Sequence, residues 1–97
     1  MKVNVTIPII GLDDLTIKQN GENLTVRTVL INSILKDFPE DSVDNSASEK
    51  LDRFELAMRI RDNDSIDLSE TGAVKIGDRV ARCYATIAAA QVIKQLK

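Results

Sequence analysis

Hydrophobic and polar residues alternate from the start of the chain. Val3, Val5, Ile7 and Ile9 fall on one side of an extended backbone, with Lys2, Asn4, Thr6 and Pro8 on the other. A period of two marks a strand with one buried face. Pro8 has no amide proton to give to a ladder, so this strand is expected at a sheet edge or to end there. Gly11 with Asp13-Asp14 marks a turn, after which Leu15 and Ile17 resume the alternation in a second short strand. Asn20-Gly21, a pair that tolerates positive φ, predicts a tight hairpin turn. Two or three short antiparallel strands are expected.

From Leu24 the period lengthens. Val26, Val29, Leu30, Ile34 and Leu35 recur at helical spacing behind Thr25, an N-cap residue type. Pro39 disfavours helical backbone at Phe38, which places the end of this helix near Asp37. Several of its residues are β-branched, so packing must supply much of its stability. Residues 39–45 read as a polar, acidic connector. Ser46-Ala47-Ser48-Glu49 then has the spacing of a capping box. Leu51, Phe54, Ala57, Met58 and Arg61 are expected to share one face of a second helix reaching about Arg61, broken by Asp62-Asn63-Asp64. Ile66 and Leu68 look extended, and Ser69 caps a third helix whose inner stripe is Ala73, Ile76, Gly77, Val80 and Tyr84. Continuing it to Leu96 would need about 27 residues, against a typical ~11–12. A break near Tyr84 to Thr86 and a final helix from Ile87 to Gln95 are therefore expected. The fold predicted is α+β, one domain over residues 1–97, with a short N-terminal antiparallel β-hairpin packed on three to four α-helices.

Composition changes this picture little. Ninety-seven residues give room for one core, and a chain of this size buries roughly 60–70% of its unfolded surface. Hydrophobic residues make up 43% and aromatic ones only 3%, so Ile, Val, Leu and Ala must build the core and few rigid aromatic anchors remain. Thirteen basic and 15 acidic residues are interspersed to a net charge of −2. There is no basic stripe to track a phosphate backbone, so nucleic acid is not an expected partner. Cys83 stands alone, which rules out an intramolecular disulfide and favours a reducing cytoplasm. The N-terminal alternation is unlike a signal peptide, and no stretch nears the ~18–20 apolar residues that span a bilayer. A soluble, cytoplasmic chain without membrane contact is expected.

Candidate chemistry is sparse. The chain has no histidine, which removes Ser-His-Asp and Cys-His catalysis and the usual neutral-pH proton shuttle. No zinc site of ordinary type can be assembled, and the four glycines are too scattered for a phosphate loop. Asp62, Asp64 and Asp67 invite a calcium reading, but an EF-hand loop starting at Asp62 would place Ile66, Asp67 and Ala73 where a ligand, a glycine and a glutamate are needed. The acidic run Asp37, Glu40, Asp41 and Asp44 lies in a polar connector that gives no sign of the burial acid–base catalysis needs. Glu55–Arg59 and Asp78–Arg82 have the spacing of surface ion pairs. A helix-turn-helix over the second and third helices would carry an acidic connector that repels phosphates. No histidine is available to activate Cys83, and Tyr84 reads as a core-edge residue. Catalytic, cofactor and metal sites are all expected to be absent, leaving a carboxylate-based hydrolase as the enzymatic alternative.

The stretch Ala85 to Ile93 carries small residues around the helix, allowing close approach on more than one side. It is either a central core helix or a surface for a protein partner, self or other, with Ile87, Ala88, Ala89 and Val92 as candidate contacts and a homo-oligomer as one outcome.

Gly11-Leu12-Asp13-Asp14, Asn20-Gly21-Glu22 and Leu24-Thr25-Val26 opening a helix, with Arg53 to Ile60 and Ile66-Asp67-Leu68-Ser69 further on, form an order of segments spread over most of the chain. That order resembles small, largely uncharacterised proteins encoded by tailed phages and prophages. The resemblance implies an origin and carries no site residues. It fits a non-enzymatic protein–protein interaction module, an accessory or assembly factor of a phage, with a host-directed regulator or inhibitor, including one acting on nucleic-acid machinery, as the alternative.

Overall fold

Three helices start where a hydroxyl side chain is available to accept an amide proton that the first turn cannot satisfy. Thr25 Oγ1 accepts from the Thr28 amide at 3.3 Å, Ser46 Oγ from Glu49 at 3.2 Å, and Ser69 Oγ from Gly72 at 3.0 Å. The computed structural model describes residues 1–38 and 46–97, so the predicted connector over 39–45, with Glu40, Asp41 and Asp44, lies outside the described residues. In chain order the elements are β1 (Lys2–Asn4), β2 (Lys18–Gln19), β3 (Glu22–Asn23), α1 (Val26–Leu35), α2 (Ala47–Asp62), β4 (Ser65–Asp67), α3 (Glu70–Cys83) and α4 (Thr86–Gln95). The architecture is α+β.

Asn20 (φ 54°) and Gly21 (φ 81°) both adopt positive φ, joining β2 and β3 in a hairpin paired Lys18↔Asn23 and Gln19↔Glu22. This is the two-residue turn that Asn-Gly favours. The second strand differs from expectation. Leu15 is exposed, Thr16 makes an isolated bridge to Ile10, and regular pairing starts at Lys18.

β1 also finds a different neighbour. It pairs antiparallel with β4, Val3 opposite Ile66, instead of joining the hairpin. Four short strands in two separate pairs result among the described residues, against the two or three expected. Past Asn4 the chain stays extended and serves another element. The carbonyls of Val5 and Ile7 accept from the amides of Arg27 (2.8 Å) and Val26 (2.9 Å). These amides open α1 and have no acceptor within the helix, so the N-terminal segment supplies one. Ile9 is tied on both sides, its amide to the Leu24 carbonyl (2.8 Å) and its carbonyl to the Ile17 amide (2.9 Å).

The predicted alternation is visible in burial: Val3, Val5 and Ile9 are fully buried and Ile7 packs against the same cluster. Central in the fold is α1, which contacts α2, α3 and α4. Its Val29, Leu30 and Ile34 meet Ile60, Val80 and Val92 in one aliphatic cluster. The break between α3 and α4 falls where it was expected, with Tyr84 and Ala85 both extended and the Tyr84 amide still donating to Val80.

In α2 the expected single face is split. Ala57 and Ile60 are buried and Leu56 packs against the core, while Leu51, Phe54 and Arg61 are exposed. The helix carries two apolar stripes, and the core takes the one with Leu56, Ala57 and Ile60.

Candidate functional site

The small-residue surface on α4 divides between core and solvent. Ala88, Ala89 and Val92 are buried among the chain's own side chains, and Ile87 alone stays at the surface, 37% exposed. Three of the four candidate contacts are thus engaged by α1 and α3, as a core helix requires. Gln91, on the same helix, reaches the N-terminal segment. Its Nε2 donates to the Ile10 carbonyl at 2.7 Å and its Oε1 accepts from the Ile10 amide at 3.0 Å. The side-chain amide pairs with Ile10 as a neighbouring strand would. Beside it, Ile7, Pro8, Lys94 and Gln95 border an open cleft of about 200 Å³.

Two of the three loop aspartates face arginines. Asp62 takes a two-pronged contact from Arg61 (2.8 and 3.3 Å), whose hydrogen bonds hold its carboxyl below the usual carboxylate range and raise the Arg61 guanidinium in turn. Asp64 faces Arg27 at 3.0 Å, and Asp67 lies in β4. Among the described residues no three acidic or thiol groups converge as a metal site would need. Cys83 is half-buried and free. Tyr84 packs against the core and takes a hydrogen bond on its hydroxyl from Asn32 Nδ2 at 2.9 Å.

Arg53 and Arg79 do something the spacing of charges did not announce. The last carbonyls of a helix have no amide to accept from, and α1 has no basic residue in its last turn. Arg79, only 8% exposed, donates from Nε to the Ser33 carbonyl at 2.9 Å and from Nη2 to the carbonyls of Ile34 and Lys36. Arg53 Nη1 donates to Ile34 and Lys36 as well, at 3.3 and 3.2 Å. Two guanidinium groups, one from α2 and one from α3, thus cap the negative end of the α1 dipole. Phe38 lies under two arginines of α3, with Arg82 Cζ 3.7 Å and Arg79 Cζ 4.8 Å from its ring centre. Asp37 stands outside, 3.5 Å from Arg53 and 4.0 Å from Lys50. The cluster holds three helices together.

Apolar groups without an internal role mark the remaining candidate. Leu51 is 57% and Phe54 54% exposed, and Met58 one turn later is half-buried. With Ala47 they form a stripe along the outer side of α2, roughly 140° around the helix from the buried Leu56–Ile60 side at 100° per residue. Phe54 is one of two phenylalanines in the chain and is the one left in water. An aromatic side chain held on a capped helix is a rigid anchor of the kind that dominates interfaces. A second exposed apolar point is Leu12, 97% exposed at the tip of a turn closed by Gly11 and Leu15. No helix among the described residues is long and apolar enough to cross a membrane. Compared with protein-family models, curated proteins and solved structures, the chain matches none.

Proposed function

We propose that the chain is a non-enzymatic protein–protein interaction module that docks through the outer face of α2, an accessory or assembly factor of the phage or prophage class its segments resemble. The observation that carries the reading is the Leu51–Phe54–Met58 stripe, apolar and solvent-facing on a helix whose other side is already anchored in the core. Exposed apolar stripes of this kind mark partner surfaces. The described carboxylates supply no counter-reading, since they are exposed or only partly covered and Asp62 and Asp64 face Arg61 and Arg27. The same ion pairs weigh against an inhibitor that docks through that acidic loop. The lone thiol Cys83 fits a reducing cytoplasm.

Affinity capture from cells with and without the phage or prophage active tests the reading. The wild-type chain and Leu12→Ser should retain the same partner. Leu51→Ser and Phe54→Ser should lose it, by about 2 kcal/mol or more in affinity if Phe54 is an anchor. Equal recovery by all four proteins would overturn the assignment of this face.

A further inference from the structure

The outer stripe of α2 has the spacing of a coiled-coil seam. Ala47, Leu51, Phe54 and Met58 are separated by four, three and four residues, the alternation that keeps a seam facing one partner helix. Taking Leu51 and Met58 as one seam position and Ala47 and Phe54 as the other fixes the flanks. Lys50 lies on one side of the seam, and Glu55 and Asp62 on the other. Lys50 and Glu55 are exposed, and Lys50 is held only loosely, 4.0 Å from Asp37.

We infer that the stripe is covered by α2 of a second copy of this chain, the two helices packed parallel about a two-fold axis. This rests on the preceding reading of the stripe as a docking surface. Charge selects the partner and its direction. In a parallel pair each flanking residue faces the residue five positions further along the other helix, across the seam. Lys50 then meets Glu55 of the second copy, and two-fold symmetry makes the contact twice. An antiparallel pair that keeps the apolar layers sets Leu51 against Phe54 and Ala47 against Met58, and each flank faces its own kind: Lys50 meets Ala57 and Glu55 meets Ser48 of the second copy. That arrangement gives up both attractions. On the Lys50 flank the next position, Ala57, is already buried in the chain's own core, so each body lies to that side of its helix and the two-fold axis puts the two bodies on opposite outer sides.

Two heptads bury less than the ~800 Å² per partner of a standard interface. The dimer is therefore weak, and is read at concentrations up to roughly 1 mM. Sedimentation equilibrium of the full chain from about 10 µM to 1 mM should show the mass rising toward twice that of one chain. Phe54→Ser should remove the rise. Lys50→Glu and Glu55→Lys should each weaken association by about tenfold, the effect of two symmetric ion pairs turned repulsive. The combined K50E/E55K chain should recover the wild-type dissociation constant within about threefold, because the swap restores each pair in the parallel arrangement. Circular-dichroism melts confirm that all four variants fold. A strictly monomeric chain at 1 mM, a dimer unaffected by Phe54→Ser, or a double swap that adds the two defects would overturn the inference. The capture experiment separates its failure from that of the docking surface: a monomer whose partner is lost with Leu51→Ser refutes only self-pairing.

Discussion

Replacing Arg79 with methionine keeps an unbranched apolar stem and removes the guanidinium from the end of α1. Two effects oppose each other. A buried charge is costly to desolvate, and apolar replacement of buried ions is sometimes stabilising. Here the acceptors cannot leave with the donor, because Ser33, Ile34 and Lys36 present backbone carbonyls fixed by the helix end. Hydrogen bonds from charged groups are worth about 1.5–3 kcal/mol, and a buried carbonyl left without a donor costs a similar amount. Arg53 still serves Ile34 and Lys36, so the loss falls mainly on the Ser33 carbonyl. The expected destabilisation is about 2–3 kcal/mol, a large share of the ~5–15 kcal/mol that holds a domain folded. With a urea dependence of roughly 1–2 kcal/mol/M for a chain of this size, the unfolding midpoint should drop by about 1–2 M. Arg53→Met should cost less, about 1–2 kcal/mol, since its acceptors are shared and its partner Asp37 is exposed. The double variant decides the matter. Each arginine covers for the other at Ile34 and Lys36, so the joint loss should exceed the sum of the single losses by about 0.5–3 kcal/mol. Additive losses, or an Arg79→Met protein within about 0.5 kcal/mol of wild type, would refute the shared cap.

Ser33 and Asp62 give two further tests. The Ser33 hydroxyl is fully buried and finds no hydrogen-bond partner among the described residues, so Ser33→Ala should raise stability by about 0.5–1.5 kcal/mol through relief of desolvation and better helix propensity; a loss measured by urea unfolding would show that the hydroxyl is bonded after all. Arg61 holds the Asp62 carboxyl below its ordinary range, so carbon-detected NMR should find its midpoint lower in the wild type than in Arg61→Gln. Because the folded value is the lower one, any stability from the pair is present above the ordinary carboxylate range and fades as pH falls through the folded midpoint. Identical midpoints in the two proteins would contradict the contact.

Local signals read well from the sequence and distant ones poorly, for physical reasons. Thr25, Ser46 and Ser69 cap helices through amides three residues away, Asn20-Gly21 sets a turn by its own dihedral preferences, and the helix break at Tyr84–Ala85 follows from length alone. The partner of β1 lies more than 60 residues away, and a three-residue strand has too little pattern to name it. On α2 the periodicity was real but double. Leu51 and Phe54 met the helical spacing as well as Leu56 and Ile60 did, and only the shape of α1 decides which stripe is buried. Arg79 was hidden because a charged residue at helical spacing reads as surface, while its role depends on carbonyls that another helix leaves unpaired. The α2 surface is present in the sequence as apolar residues on one helical face, but periodicity does not say whether that face meets the core or a partner, whereas the small residues of α4 suggest close approach that the chain's own core takes up.

The pairing of Ile10 with Gln91, together with β1 on β4, has a consequence for synthesis. A ribosome delivers the chain in order, so residues 3–10 emerge before the partners they pair with. Val3 must wait for Ile66, the Val5 amide for the carbonyl of Asp64, and both polar groups of Ile10 for a side chain 81 residues later. Until then the N-terminal segment can rehearse only its short-range links to Ile17, Leu24 and α1. Contacts of such span close late and slow the search. The apolar run over residues 3–9 therefore waits without these partners until residue 91 has been made, and the native core closes only after α4 has emerged.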